Sequence, residues 1–315
     1  MLDTTVFMFA GQGSQYYRMG ARLMDDDPIF NHWMRKLDAI AADLVGDSIL
    51  RHIYGERNND EAFKRLLHTH PAIYMVEFAL SQSLMENGIR PQVVLGMSLG
   101  EYAALTLAGS IDYESALVNI VEQARLIEQY CEKGGMLAVF DSINPHREQI
   151  FQTGCDLVAV NTETHFVVSS SYDNLAKVED YLEKNQIIYQ SLPVEYAFHS
   201  KMFDPLETRL KDKVMDLKVT EPEVPIVSCV YGKIIDEPTS AYFWDVCRKP
   251  IRFRDAFQFL EKFPSCKYID VSPGSTLANY AKRNLSTKLG KYVYPIMTQF
   301  GSDANNFMKV KNAIN

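Results

Sequence analysis

The sequence predicts an α/β fold in which short buried strands alternate with amphipathic helices. Thr5–Phe9 is an apolar run that ends at a glycine-containing turn, and residues 19–44 then repeat apolar side chains at helical spacing. Residues 69–89 form a second amphipathic pattern that ends at Gly88, and the apolar run VVLGM begins at Val93. This order of strand, helix and strand is typical of a mainly parallel sheet.

A change of pattern between Gly134 and Glu195 predicts a second folding unit within the chain. Several strand-like runs with one or two helical segments between them indicate a compact α+β insert. We therefore predict a large domain of residues 1–132 and 197–315 and a small subdomain of residues 133–196. After the insert, helical patterns return, with apolar strands at residues 224–231 and 266–272.

The composition excludes several classes of protein. A hydrophobic content of 47% in 315 residues can form a sizeable core, and a net charge of -8 without a basic cluster argues against nucleic-acid binding. Five widely spaced cysteines predict neither a disulfide framework nor a metal site. The sequence lacks a signal-peptide pattern and a long apolar run. We expect a soluble cytoplasmic protein that does not bind a membrane.

The motif GMSLG at Gly96–Gly100 contains the strongest candidate nucleophile. It fits the pattern G-x-S-x-G and lies between an apparent strand and a helix, the context of a nucleophile elbow. The glycines remove side chains that would collide with neighbouring strands. Ser98 would stand at a helix N-terminus, which favours the negative charge of a tetrahedral intermediate. The alternative is that Ser98 only caps the helix.

A nucleophilic serine needs a base, and His199 is the best candidate. It follows an apolar strand end and begins a helical segment, from which a side chain can reach a cleft. His68 and His70 could also line a site. The remaining histidines occur in polar or helical settings that are typical of the surface: His32, His52, His146 and His165.

The oxyanion also needs hydrogen-bond donors. Leu99 follows the serine and would supply one backbone N–H by the geometry of the elbow. The turn Gly11–Gly13 follows the first predicted strand, so the N–H of Gln12 is a candidate for the second donor. An ordinary strand-to-helix turn is the alternative interpretation of this glycine pair.

Together these segments resemble the malonyl-CoA:acyl-carrier-protein transacylase family, which includes the acyltransferase domains of polyketide synthases. The resemblance spans nearly the whole chain. It rests on seven motifs in the family's order: FAGQGSQYYRMG, THPAIYMVEFAL, GMSLGEYAAL, AVNTETHFVVSS, YAFHSKMFDP, KPIRFRDAF and YIDVSPGSTL. It implies an α/β-hydrolase-like large domain with an inserted ferredoxin-like small subdomain.

The resemblance also implies roles for the candidate residues. Ser98 would take an acyl group from a thioester, and His199 would act as base and then as acid. The N–H groups of Gln12 and Leu99 would hold the oxyanion. Family members orient this histidine with a backbone carbonyl, so no triad acid is assigned. We expect the acidic residues near the site to be structural, namely Asp204 and Asp270.

One departure from the family pattern bears directly on the substrate. Where malonyl-type members carry an arginine that binds the free carboxylate of the acyl group, this chain has Gln123. Arg125 follows two residues later, about 200° around a helix, so it cannot simply replace that arginine. A neutral amide lacks the charge pairing that a carboxylate needs. We expect acyl groups without a free carboxylate; a shifted register that leaves Arg125 in the pocket is the alternative.

Two further departures leave the candidate machinery in place. Met97 stands where the family has a histidine, and His70 stands where a glutamine precedes the proline. A methionine makes the pocket more apolar and adaptable. With Gln123, we predict Met97, His70, Phe198 and Asn161 as substrate-binding residues, and no metal ligand.

Relatives without the arginine resemble the freestanding acyl hydrolases of trans-acyltransferase polyketide pathways. We therefore expect hydrolysis of acyl groups from acyl carrier protein, with no bound cofactor and with phosphopantetheine carried by the substrate. The alternatives are a trans-acting acyltransferase, which shares the same machinery, and a non-catalytic carrier-docking module. An acidic carrier needs a basic rim, for which Lys201 and Arg248 are candidates.

Overall fold

The computed structural model describes residues 4–55, 63–214, 217–285 and 289–314. Within these ranges the strands, in chain order, are β1 (Thr5–Phe9), β2 (Val93–Gly96), β3 (Gly135–Val139), β4 (Asp156–Thr162), β5 (His165–Ser170), β6 (Tyr189–Ser191), β7 (Ile226–Ser228), β8 (Lys233–Ile235), β9 (Lys267–Asp270) and β10 (Val293–Pro295). The helices are α1 (Ala21–Asp26), α2 (Pro28–Val45), α3 (Ile49–Tyr54), α4 (Leu66–Glu86), α5 (Gly100–Leu107), α6 (Tyr113–Tyr130), α7 (Arg147–Gln152), α8 (Tyr172–Lys184), α9 (Glu207–Val214), α10 (Ser240–Arg248), α11 (Phe253–Leu260), α12 (Thr276–Asn284) and α13 (Asp303–Ile314).

The larger sheet has the strand order β10-β9-β1-β2-β7-β8. Its strands run parallel to their neighbours except for the antiparallel pair β7 and β8. Strand β1 is central and completely buried, as expected for a strand covered on both faces. The carboxyl ends of β1 and β2 lie side by side, so the turns that follow them meet at one edge of the sheet.

The smaller sheet is antiparallel, with the order β4-β5-β3-β6. Together with α7 and α8 its chain order is β-α-β-β-α-β, which is the ferredoxin-like arrangement. The predicted α/β-hydrolase-like fold with a ferredoxin-like insert is therefore confirmed. The small sheet lies between Gly135 and Ser191, and the boundaries at residues 133 and 196 stay a prediction. At the neck of the insert, Gly134 N–H donates to Glu195 O at 3.1 Å.

Helix α4 is the central helix of the large domain. The sequence predicts an amphipathic helix here, but α4 is buried on nearly all sides because it packs against α2, α5 and α6. Polar residues on α4 therefore lie inside the protein and need partners there. Two of them, Thr69 and Glu77, contact the turn after β1.

Residues 19–44 form two helices where the spacing of apolar residues alone indicated one. Helix α1 ends at Asp26, and Pro28 begins α2 because its missing N–H costs nothing at a helix start. The Asp27 carboxylate caps α2 by accepting from the N–H groups of Ile29 and Phe30 at 2.9 and 3.0 Å. In the part of the chain that the structure describes, no helix is long and apolar enough to cross a membrane.

Candidate active site

The serine turn joins β2 to α5 at the carboxyl edge of the large sheet. Ser98 has φ 55°, the left-handed conformation that strains a non-glycine residue. A Cβ on Gly96 would lie 2.6 Å from the Glu101 Cα, and one on Gly100 would lie 2.3 Å from the Phe9 carbonyl oxygen. Both positions therefore require glycine, as the G-x-S-x-G pattern indicates.

His199 lies directly beside the serine. Its Nε2 is 2.9 Å from Ser98 Oγ, and its Nδ1 is 2.9 Å from the carbonyl oxygen of Lys249. Because a carbonyl can only accept, Nδ1 carries the proton and Nε2 is free to accept from the serine. The orienting group is thus a backbone carbonyl, as the resemblance implied. His199 itself has φ 61°, so both facing residues are in the left-handed region.

Burial lowers the pKa of His199 to about 4, with a smaller lowering by the Arg248 cation and an opposing effect of the Lys249 carbonyl. The imidazole is therefore neutral at pH 7 and can take a proton. Neither acidic candidate is hydrogen-bonded to His199. Asp204 pairs with Arg248, and Asp270 is buried, where it accepts from the Ala278 N–H at 2.7 Å at the start of α12.

The two predicted oxyanion donors lie on adjacent turns. A Cβ on Gly11 would lie 2.9 Å from Ser98 Cβ and 3.1 Å from the Leu99 nitrogen, so the turn after β1 rests against the elbow. Among the described residues, no acceptor is hydrogen-bonded to the backbone N–H of Gln12 or of Leu99. Two free donors beside a nucleophile are what an oxyanion hole requires. The Gln12 side chain is held by the Thr69 hydroxyl at 3.0 Å.

Gln123 and Arg125 point in different directions from α6. Gln123 is 5% exposed, and its carbonyl oxygen accepts from the Tyr102 hydroxyl at 3.0 Å. Arg125 is partly exposed, pairs with Glu122 and donates to the Leu44 carbonyl at 2.7 Å. Arg125 is therefore tied to the outer side of α6, which rules out the alternative register in which it enters the pocket.

A cavity of about 320 Å³ adjoins the two turns and lies between the large sheet's edge and the small subdomain. Gln12, Met97 and Asn161 all line it, with mainly apolar walls. Asn161 is 3% exposed, and its Oδ1 has no hydrogen-bond partner in the described chain. His165 also lines this cavity and is buried, so its interpretation as a surface residue was wrong. The turn between β4 and β5 folds it inward, where its Nδ1 lies 3.1 Å from Asn161 Nδ2. The same interpretation was wrong for His146, which is buried in the small subdomain.

His70 and Phe198 form a separate buried contact, with ring centroids 6.1 Å apart. His70 is 1% exposed, and neither ring nitrogen has a hydrogen-bond partner in the part of the chain described. Burial lowers its pKa to about 3, so the ring is neutral. Phe198 precedes His199 in the chain, which places His70 near the catalytic candidates but not in the cavity lined by Met97.

A second groove, of about 650 Å³, is lined by His199, four arginines and three acidic residues. The arginines are Arg147 of the small subdomain and Arg248, Arg252 and Arg254 of the large domain, and the acidic residues are Asp156, Glu163 and Asp255. Of the two predicted rim residues, Arg248 pairs with Asp204, and Lys201 binds the Gly154 carbonyl through its ammonium at 3.1 Å. Arg252 and Arg254 occur in the motif KPIRFRDAF, but the sequence alone did not indicate that they and Arg147 meet at one groove.

Comparison with known proteins agrees with this geometry. Residues 6–315 match the family described as acyl transferase domain. The chain is 40% identical to "Polyketide biosynthesis acyltransferase homolog PksD" of Bacillus subtilis (strain 168), over 99% of this chain and 97% of that protein. It is 38% identical to the homolog BaeD of Bacillus velezensis, over 100% of this chain and 98% of that one.

Solved structures share the same fold. A loading acyltransferase from the avermectin modular polyketide synthase superposes with a TM-score of 0.88 at 22% identity. The superposition covers 98% of this chain and 99% of that one. At this identity the likeness supports the two-part architecture alone.

Proposed function

The chain belongs to the acyl transferase domain family, and we propose that it is a serine enzyme that hydrolyses acyl carrier protein thioesters in polyketide biosynthesis. The acyl groups it accepts lack a free carboxylate. The names of its two close relatives, both polyketide biosynthesis acyltransferase homologs, support the pathway. Five free cysteines agree with a reducing cytoplasm as its compartment.

The observation that carries the substrate proposal is the state of Gln123. It is buried and neutral at the position where the family resemblance places a carboxylate-binding arginine, and Arg125 is held elsewhere. Hydrogen bonds to charged groups contribute about 1.5–3 kcal/mol, which a malonyl carboxylate would lose on entering this site. An uncharged acyl chain loses nothing there.

Acylation begins when Ser98 Oγ attacks the thioester carbonyl carbon and His199 Nε2 takes the serine proton. The backbone N–H groups of Gln12 and Leu99 stabilise the oxyanion. The carbon–sulfur bond then breaks, and His199 returns the proton to the sulfur of the leaving phosphopantetheine thiol. The product is an ester on Ser98.

Deacylation repeats the same steps with water as the nucleophile. His199 Nε2 takes a proton from water as its oxygen attacks the ester carbon. The bond between that carbon and Ser98 Oγ breaks, and the proton returns to the serine. The free acid leaves, and the net reaction consumes one water for each acyl group removed.

The cavity lined by Gln12, Met97 and Asn161 is the proposed path of the phosphopantetheine arm. Its apolar walls suit the methylene and methyl groups, and the unpartnered Asn161 Oδ1 suits an amide N–H of the arm. His70 and Phe198 are proposed to contact the acyl group near His199. The arginine-lined groove is the proposed docking site of the acidic carrier protein.

Mass spectrometry of carrier protein preloaded with acetyl, butyryl or malonyl groups tests this function. Each is incubated with the wild type and with Ser98→Ala, with and without an unloaded second carrier. We expect loss of acetyl and butyryl as free acid, dependent on Ser98, while malonyl remains on its carrier. Efficient malonyl turnover would contradict the hypothesis that Gln123 excludes acyl groups with a free carboxylate.

A trans-acting acyltransferase is the second candidate, because the family is named for transfer and both reactions use the same nucleophile and base. The same assay separates the two. An acyl group that appears on the second carrier with little free acid would identify transfer as the reaction. Unchanged turnover in Ser98→Ala would exclude both.

A further inference from the structure

The turn that carries the Gln12 N–H begins at the end of β1, where strand pairing stops. Phe9 still pairs with Gly96 of β2, and Ala10 follows it with 1% exposure. The Ala10 N–H is therefore buried beyond the last strand residue and needs an acceptor, since an unpaired buried amide is costly. Ala10 precedes Gln12 by two residues, so its placement sets where the turn starts.

Glu77 of α4 provides that acceptor. Its Oε1 accepts from the Ala10 N–H at 2.7 Å, and the carboxyl group is buried, with 1% exposure of the residue. On the same helix, Thr69 donates to the Gln12 side chain at 3.0 Å. Helix α4 thus makes two contacts after β1. One is with Ala10, where the turn starts, and the other is with Gln12, whose backbone N–H is the candidate oxyanion donor.

The second oxygen of Glu77 makes a purely structural explanation less favourable. Oε2 is buried and has no hydrogen-bond partner among the residues described. A buried unsatisfied oxygen costs about 1–3 kcal/mol, which offsets much of what the hydrogen bond to Ala10 contributes to stability. The carboxyl provides a fixed acceptor for the backbone N–H of Ala10, directly before the turn Gly11–Gly13.

We propose that Glu77 is a positioning residue for the oxyanion hole, holding the turn so that the Gln12 N–H keeps its place beside Ser98. The proposal rests on the serine mechanism above, but it is independent of the acyl group and of the carrier protein. Gly11 transmits the position, since its backbone lies so close to Ser98 and Leu99 that the turn cannot shift without moving against the elbow.

Burial raises the pKa of Glu77 well above its usual value; the Ala10 N–H opposes this, and nearby Asp270 adds to it. Burial therefore favours the uncharged carboxyl, which has one carbonyl acceptor and one O–H. A glutamine has the same carbonyl acceptor and nearly the same shape. Glu77→Gln should keep the turn in place, whereas Glu77→Leu should leave the Ala10 N–H without an acceptor.

The experiment uses the full chain and p-nitrophenyl acetate, a substrate with neither carrier protein nor pantetheine. The wild type, Glu77→Gln and Glu77→Leu are compared by kcat, KM and thermal unfolding. Removal of an oxyanion donor lowers kcat about 10²–10³-fold, so we expect a loss of about 10–100-fold from its misplacement in Glu77→Leu, with KM changed less than about threefold. Glu77→Gln should stay within about threefold of the wild-type kcat.

Affinity for phenylboronic acid, which forms a tetrahedral anionic adduct on an activated serine, supplies a readout specific to the oxyanion. It should weaken in Glu77→Leu by about the same factor as kcat and stay unchanged in Glu77→Gln. Ser81→Ala is the matched control, because it removes the hydrogen bond that Ser81 Oγ donates to the backbone carbonyl of Glu77 at 2.7 Å, within α4, and leaves the Glu77 carboxyl in place. It should leave kcat and the boronate affinity unchanged.

A folded Glu77→Leu with wild-type kcat and boronate affinity would overturn the proposal, as would equal losses in Glu77→Gln and Glu77→Leu. If Glu77→Leu does not fold, Glu77→Met gives the same comparison with an unbranched side chain of similar length. Because the ester assay involves no carrier protein, failure of this proposal leaves the carrier-protein result unaffected, and the two failures are distinguishable.

Discussion

At the scale of single residues, the proposed choice of substrate rests on two side chains that are close in sequence and far apart in space. Gln123 faces the interior, where the Tyr102 hydroxyl fixes its amide, and Arg125 lies against the carbonyl end of α2. Residues two positions apart on a helix point about 200° away from each other around its axis, so neither Gln123 nor Arg125 can take the other's place. Under the proposed function, the identity of the inward residue decides whether a charged acyl group is accepted.

Gln123→Arg is expected to raise the turnover of malonyl-loaded carrier about 10–100-fold relative to acetyl-loaded carrier. The reason is that a guanidinium pairs with a carboxylate in two parallel hydrogen bonds, worth about 1.5–3 kcal/mol. Mass spectrometry of both carriers measures the ratio. Arg125→Gln is the control, and a similar change of selectivity in that variant would show that the outward arginine takes part.

The candidate catalytic pair was predictable from sequence because each residue lies in a local motif. GMSLG indicates the turn at Ser98, and YAFHSKMFDP indicates His199; the strand end predicted before His199 was wrong, since β6 ends at Ser191 and His199 lies in a turn. Glu77 and His165 were not predicted, because each acquires its place through a contact distant in sequence or a turn that buries it. Glu77 offers one signal: a carboxyl in an otherwise apolar stretch of a buried helix.

At the scale of elements, the turn that contains Ser98 is held in place because α5 begins in contact with β1. Gly100 is the first residue of α5, and its α-carbon faces the backbone of Phe9 and Ala10. The Met97 N–H also donates to the Phe9 carbonyl at 2.9 Å, so the turn is bound to β1 on both sides of Ser98. Strand pairing thereby fixes Ser98 against the turn Gly11–Gly13.

Gly100→Ala is expected to destabilise the protein by about 1–3 kcal/mol or more, because the new Cβ would lie 2.3 Å from a backbone oxygen that cannot move away. Thermal unfolding measures the change. Gly274→Ala is the matched control, since its Cβ would make an ordinary 3.5 Å contact with the Ser14 carbonyl. Equal Tm values for the two variants would contradict the close packing of α5 on β1.

Secondary-structure elements were predictable where the pattern of apolar residues is long, and they were missed where that pattern is short. β1 has the predicted bounds, and α5 begins within the motif GMSLG, at the end where a helix is predicted. β8 and β10 have three residues each, too few for a periodic pattern, and they are held by pairing with β7 and β9. The break between α1 and α2 follows from Pro28, a local signal that the spacing of apolar residues does not include.

At the scale of the whole molecule, both subdomains contribute arginines to one groove. Arg147 comes from α7 of the small subdomain and Arg252 from the start of α11, while the chain as a whole carries a net charge of -8. Local positive charge on an acidic protein orients an acidic partner, since like charges elsewhere repel it. Only the fold shows this, because the arginines are distant in sequence.

The double variant Arg147→Glu and Arg252→Glu is expected to raise the KM for acyl-loaded carrier about tenfold, because it reverses the charge on both sides of the groove. Turnover of p-nitrophenyl acetate should be unchanged. Steady-state kinetics at low and high salt measure the KM for the carrier and the turnover of the ester. The difference in KM between the double variant and the wild type should shrink at high salt, because salt screens the charges. Arg90→Glu, on an exposed arginine before β2, is the control; an equal effect there would mean that net charge alone matters.

The strand order of the large sheet has a consequence for how the chain folds as it is synthesised. β1 precedes every other strand of the large sheet, yet one of its partners, β9, follows only after the small subdomain, and β2 must wait for β7. The small subdomain closes its sheet within Gly135–Ser191, by contacts that are near in sequence. Because distant contacts form slowly, we expect the insert to fold first. The large sheet, which positions Ser98, is completed only after β9 and β10 have emerged.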